Sequence, residues 1–142
     1  MSISAQPFPL PKKLAGPLAR VHHYWTDLIR AENEMPFADD VNLSQLPALA
    51  GNLLLVEVFV KPQRFRFNHL GDELIHRLGA NITGKFADEV ELRGPFEFLI
   101  AQASATVEAR APTCYSNRRG YARMLLPTWG DGRIELLLGA IA

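Results

Sequence analysis

Apolar and polar positions follow two rhythms along this chain, and the switches between them mark its elements. Between Pro17 and Glu32, Leu18, Val21, Trp25, Leu28 and Ile29 recur at helical spacing. That predicts an amphipathic helix. Pro17 suits its first turn, where a missing N–H costs nothing, and Pro36 drives Met35 out of helical geometry. Phe37 to Gly51 reads as a connector, with Ser44 placed to cap a single turn over Gln45–Leu49. Leu53–Val60 is apolar at seven of eight positions, as a strand covered on both faces must be. Arg64–Leu70 instead alternates, with Phe65, Phe67 and His69 on one side and Arg64, Arg66 and Asn68 on the other. Lys61-Pro62-Gln63 joins the two strands as a hairpin-length loop.

Helical spacing then returns. Asp72 caps a short helix carrying Leu74, Ile75 and Leu78, and Gly79 stops it. Asn81–Lys85 is a turn, and Gly94-Pro95 opens a helix running to about Ala109 with the stripe Phe96, Leu99, Ile100, Ala103 and Val107. The last third is a meander. Thr113–Asn117 pairs with Tyr121–Thr128, and Gly130-Asp131-Gly132 turns the chain into Arg133–Ile141, apolar on both faces in its second half.

Strands split by a helical insert predict an α+β fold, an antiparallel sheet with helices gathered on one face and a separate N-terminal amphipathic helix. Two-sided burial places Leu53–Val60 and the last strand centrally. Arginine-bearing strands belong at the edges, where charge discourages wrong pairing. The expected order is therefore 2-1-5-4-3. The first and last strands also leave a second apolar face, carrying either Leu54/Val56/Val58/Val60 or Leu53/Leu55/Phe59, with Leu136 and Leu138 or Leu137 and Ile141. A patch of that size is unusual on a monomer. The helix residues Leu18, Val21, Trp25, Leu28 and Ile29 are expected to cover part of it, and one helix of ~24 Å cannot cover it all. A homodimer is expected to cover the remainder.

Composition narrows the function classes. The 142 residues suit a proline-rich lead-in over 1–16 followed by one domain over 17–142. Fifteen basic residues balance fifteen acidic ones, which disfavours nucleic acid as a partner. No apolar run reaches the ~20 residues of a membrane span, no signal peptide is evident, and the single cysteine, Cys114, fits a reducing, cytoplasmic setting.

Candidate chemistry is sparse. His22 and His23 are adjacent on a helix and face different ways, and His69 and His76 flank a turn; none forms a zinc pattern with the lone cysteine. There is no G-x-S-x-G elbow and no phosphate loop. His69 shares its strand side with two phenylalanines, which makes it the one acid–base candidate for the alternative function, a small-molecule enzyme on a cone-shaped α+β fold. Arg64 and Arg66 form one basic group and Arg118, Arg119 and Arg123 another, each read first as solvated edge charge and second as an anion site. Asp39-Asp40 and Asp88-Glu89-Glu91 read as solvated helix starts.

The segment FNHLGDELIHRLGANITGKFADEV, between a two-strand start and a three-strand end, resembles a PAS domain. The Trp25…Met35-Pro36 lead-in, the RFRF…LG element and Leu125-Leu126-Pro127 are similar to a compact single-domain PAS family of alphaproteobacteria. The resemblance implies a sensory or protein-interaction module that regulates a protein partner through ligand binding or dimerisation. It also implies a ligand space between sheet and helices, for which Phe67, His69, Ile100, Tyr115 and Met124 are the lining candidates. Haem-binding PAS domains usually supply a histidine from the long helix, and Pro95–Ala109 has none. Flavin-adduct PAS domains place a cysteine near the short helices, and Phe67–Val90 has none. Both cofactors are disfavoured, and the cofactor and ligand stay unknown.

Overall fold

The computed structural model describes residues 7–14, 16–118 and 120–142. Helix α1 (Gly16–Leu28) precedes a connector of three short 3-10 turns. Strands β1 (Leu53–Phe59) and β2 (Arg64–Leu70) follow, then helices α2 (Asp72–Leu78) and α3 (Leu99–Ala109), and finally β3 (Thr113–Asn117), β4 (Tyr121–Gly130) and β5 (Arg133–Ile141). All pairings are antiparallel and the sheet order is β2-β1-β5-β4-β3, as the burial pattern of the strands predicts.

Register assigns the faces. Val56 pairs with Phe67 on one side and Leu137 on the other, and Leu137 pairs with Pro127. Since side chains alternate along a strand, Leu54, Val56, Val58, Phe65 and Phe67 share the inner face with Leu125 and Leu137. Buried Leu74, Leu78, Phe96, Leu99 and Ala103 supply the apolar residues of the helical insert. Leu53, Leu55, Met124, Leu126 and Leu138 share the outer face. Leu18, Val21 and Trp25 of α1 are buried, and α1 packs on β4 and β5. Leu28 and Ile29 are only half-buried, and Ile29 lies past the end of the helix.

Several boundaries shift for local reasons. Helix α1 stops at Leu28 rather than Glu32: Ile29 N bonds Thr26 O three residues back, and Ala31 adopts a left-handed φ of 51°. Left-handed Lys61, φ 60°, follows the early end of β1. A bulge alters β2. Leu55 faces His69 while the next residue, Val56, faces Phe67, so Asn68 is the extra residue. The core face of β2 therefore reads Phe65, Phe67, Leu70, and Asn68 and His69 are exposed.

Both sheet edges are occupied. Phe67 N donates to Lys85 O at 3.0 Å and Gly84 N to Phe67 O at 2.7 Å, so the turn after α2 runs along β2. On the other edge Cys114 N donates to Phe8 O at 3.1 Å, which anchors this part of the lead-in. Residues 1–6 of the lead-in lie outside the described residues. Beyond the end of β3, Pro127 sits where no strand needs its missing N–H. Trp25 Nε1 donates to Pro127 O at 2.8 Å, and Trp129 N to Pro36 O at 2.9 Å.

Candidate functional site

The most elaborate polar arrangement among the described residues joins the start of α3 to the inner face of β3 and β4. Its centre is Arg123, which is 0% exposed. Arg123 faces Tyr115 across the ladder, and Asn117 faces Tyr121, so all four side chains lie on the side of the sheet that meets α3. Arg123 Nε donates to Gln102 Oε1 at 2.8 Å, Nη1 to Pro95 O at 2.8 Å and Nη2 to Glu97 O at 2.9 Å. A guanidinium presents its donors in a rigid plane, so these three acceptors fix the 95–97 loop and α3 against β4. Burial draws the pKa of Arg123 down to about 10, against the pull of Tyr121, Tyr115 and Glu97.

These bonds also explain where α3 begins. Helical spacing predicts a start at Gly94-Pro95, yet the carbonyls of Pro95 and Glu97 turn to Arg123 instead of into a helical ladder. Phe98 takes a left-handed φ of 60°, and α3 starts at Leu99. Phe98 itself projects outward, 62% exposed, with its ring 5.8 Å from that of Tyr115.

The Glu97 side chain faces the tyrosines. Its Oε1 accepts from Tyr115 OH and Tyr121 OH, each at 3.0 Å, and from Asn117 Nδ2. Burial first, and then the bond to this carboxylate, pushes the pKa of both phenols upward, so both stay protonated through the neutral range.

Below Arg123 a ring of bonds has a definite direction. Gln102 must turn Oε1 toward the donor-only guanidinium, so its Nε2 donates to Thr113 Oγ1 and Arg123 O, each at 3.1 Å. Thr106 Oγ1 donates to Gln102 O at 2.8 Å, which leaves Thr113 as donor in the 2.6 Å contact with Thr106. Among the described residues no buried side-chain nitrogen or oxygen lacks a partner. A network satisfied at every member rigidifies its surroundings. The buried members Arg123, Gln102, Thr106 and Thr113 are all engaged with one another or with main-chain carbonyls.

The predicted ligand-lining residues do not converge. Phe67 is buried on the inner face against Phe96, with ring centroids 5.5 Å apart. Met124 is buried on the opposite, outer face, because it pairs with Cys114 and Ala140. The bulge at Asn68 moves His69 onto the outer face and into solvent. Ile100 is partly exposed because α3 turns Leu99, Gln102, Ala103 and Thr106 inward instead. Tyr115 alone joins the Glu97 cluster. The reading of Arg123 as solvated hairpin charge is likewise corrected, since register turns it under α3. Arg118 is exposed, and Arg119 lies outside the described residues.

The other charged groups pair locally. Arg64 forms a two-pronged bond to Asp88 at 2.8 and 2.9 Å, which holds the Asp88 carboxyl below its usual range. Its guanidinium lies 3.7 Å from the Phe86 ring centre. Arg66 pairs with Glu57 at 3.0 Å, and Arg30 with Asp40 at 2.7 Å. Glu57 lies on β1 and Asp88 beside the β2 edge, so these arginines are spoken for. Cys114 is buried, and burial raises its pKa. Among the described residues no group of three or more histidine, cysteine, aspartate or glutamate side chains could hold a metal ion.

Gln102, Glu97, Asn117 and Tyr121 are absent from the residues singled out on sequence. One signal points to two positions of the network: stepping i, i+3, i+4, i+7 from Leu99 lands on Gln102, Ala103 and Thr106. Two polar residues on a helix's core face call for a buried polar partner. No protein-family model, curated protein or solved structure matches the chain. No helix among the described residues is long and apolar enough to cross a membrane.

Proposed function

We propose that this chain is a sensory or protein-interaction module of the PAS type, acting in the cytoplasm on a protein partner and self-associating as a homodimer. The observation that carries this reading is the attachment of the helical insert to the sheet through Arg123. An event at the insert moves Pro95, Glu97 or Gln102, and each is bonded to one side chain of β4. Stiff coupling of an insert to a sheet serves transmission. The buried side chains of the cluster are held by one another and by main-chain carbonyls, an arrangement suited to rigidity, and the exposed His69 has no enclosed site in which to act as acid or base. The five-stranded order with its insert between β2 and β3 fits the same reading.

The outer face supports self-association. Helix α1 buries Leu18, Val21 and Trp25, while Leu55, Phe59 and Leu136, on the outer face of β1 and β5, stay half-buried. Light scattering at micromolar concentration tests the dimer, with a mass of twice 15.8 kDa expected. Leu55→Glu is expected to yield a folded monomer. A strict monomer for the unaltered chain rejects self-association. The signalling role is tested by crosslinking in the host, with Arg123→Gln expected to weaken a specific partner's capture relative to the unaltered chain. Equal capture by both proteins rejects the coupling.

A further inference from the structure

Where β1 begins and β5 ends, α1 and the last turn of α2 approach one another across the end of the sheet. Between them is a half-open cavity of about 180 Å³. Leu18 and Val21 of α1, Leu49 of the connector, Leu53 of β1 and Ile141 of β5 supply apolar walls. Asn52 and Arg77 are the polar side chains at its border, and Ala142 closes one side with its main chain paired to Ala122.

Arg77 sets the chemistry. It is a cation in the last turn of α2, exposed, with no carboxylate in ion-pair range among the described residues. Its guanidinium rests 5.7 Å from the centre of the Tyr121 ring. Arg30, Arg64 and Arg66 are paired and Arg123 is buried. A cationic side chain without a carboxylate partner among the described residues, bordering an apolar cavity, is complementary to an anion with an apolar body. Size limits that body, since an apolar cavity of ~150 Å³ is filled by one benzene ring.

We propose that this cavity binds a small organic monocarboxylate, of the size of benzoate or hexanoate, with its apolar part among Leu18, Val21, Leu49 and Leu53 and its carboxylate on Arg77. The planar fork of the guanidinium matches both carboxylate oxygens. A phosphate or sulfate ion would leave the apolar walls unused, and a neutral guest would leave the cation unpaired. The bound acid would touch both α1 and α2. It would also act on the neighbour of Tyr121, whose hydroxyl holds Glu97. This site lies at the sheet end, apart from the inner-face cluster, and holds whether or not the chain dimerises or meets a partner.

Calorimetric titration of the full chain with benzoate, hexanoate and neutral benzyl alcohol tests the assignment. Saturable benzoate binding with a Kd of roughly 0.1–1 mM is expected for a ligand this small. Arg77→Gln, at an exposed position, is expected to weaken benzoate at least tenfold and leave benzyl alcohol unchanged. Leu49→Trp, which fills the space, is expected to abolish binding of both acids. Methyl NMR shifts in the unaltered protein should centre on Leu18, Val21 and Leu49. Absence of saturable benzoate binding overturns the proposal. So does benzoate affinity unaffected by Arg77→Gln or Leu49→Trp, benzyl alcohol binding as tightly as benzoate, or shifts centred elsewhere.

Discussion

Arg123 and Glu97 meet back to front. The guanidinium donates to the main-chain carbonyl of Glu97 at 2.9 Å, while the Glu97 carboxylate takes the hydroxyls of Tyr115 and Tyr121. Opposite charges on neighbouring elements thus form no direct salt bridge. Each instead organises its own set of neutral partners. The guanidinium holds loop carbonyls, the carboxylate holds phenols, and the Glu97 backbone is the hinge between them.

Truncating Arg123 removes three donors at once and leaves Pro95 O, Glu97 O and Gln102 Oε1 without them. An orphaned buried acceptor costs about 1–3 kcal/mol. Arg123→Met, which keeps the bulk, is expected to lose about 3–5 kcal/mol in urea unfolding. Arg123→Lys keeps the charge but not the fork, and should lose less. A loss below ~1 kcal/mol for the Met variant would show that the cluster contributes little to stability.

Glu97 should govern the titration of its two phenols. Tyr115 and Tyr121 have folded pKa values raised above the ordinary ~10. Their contribution to stability is therefore complete below pH ~10 and is lost as pH rises through the raised folded values. Tyrosinate absorbance should show both titrating late. Glu97→Gln removes the carboxylate and should bring them partway down, the effect of burial remaining. Unchanged titration in that variant would contradict the assigned hydrogen bonds.

Trp25 anchors α1 through its ring and its bond to Pro127 O. Trp25→Phe retains most of the apolar contact and leaves the carbonyl bare, with an expected cost of about 1–2 kcal/mol. Trp25→Ala should cost about 3–5 kcal/mol. Denaturation followed by circular dichroism separates the two, and equal losses would mean that the hydrogen bond is not made.

Gly71 lies at the passage from β2 to α2, where an added Cβ would collide with the carbonyl oxygens of Ala50 and Gly51. Backbone cannot swing aside as a side chain can. Gly71→Ala is expected to cost about 1–3 kcal/mol, whereas the same change at Gly16, with open space around it, should be near neutral. Comparable stabilities of the two variants would place Gly71 in a looser passage.

Cys114 should react slowly with thiol reagents in the native protein, because it is buried and its thiol is held protonated by that burial. Labelling should accelerate at least a hundredfold in denaturant. Fast native labelling would mean that the β3 edge opens readily beneath the Phe8 segment.

The sequence by itself determined the sheet. Continuous apolar runs require cover on both faces, so Leu53–Phe59 and Arg133–Ile141 had to be central, and one-sided Arg64–Leu70 had to be an edge. The choice of faces was open, and tertiary structure settled it. Leu54, Val56 and Val58 turn to the helical insert, and Leu53 and Leu138 to the side of α1. Side-chain direction at a bulge is equally non-local: one unpaired residue, Asn68, reverses His69 while leaving the composition of the strand unchanged. Arg123 is the clearest case. Nothing near it in sequence distinguishes a solvated hairpin arginine from a buried one. Its burial depends on acceptors at Pro95, Glu97 and Gln102, 21 to 28 residues away, which only the packing of α3 and its preceding loop brings within reach. Local spacing encodes which residues of a regular strand share a face, whereas the direction that face turns and the partner across the core come from the closed fold.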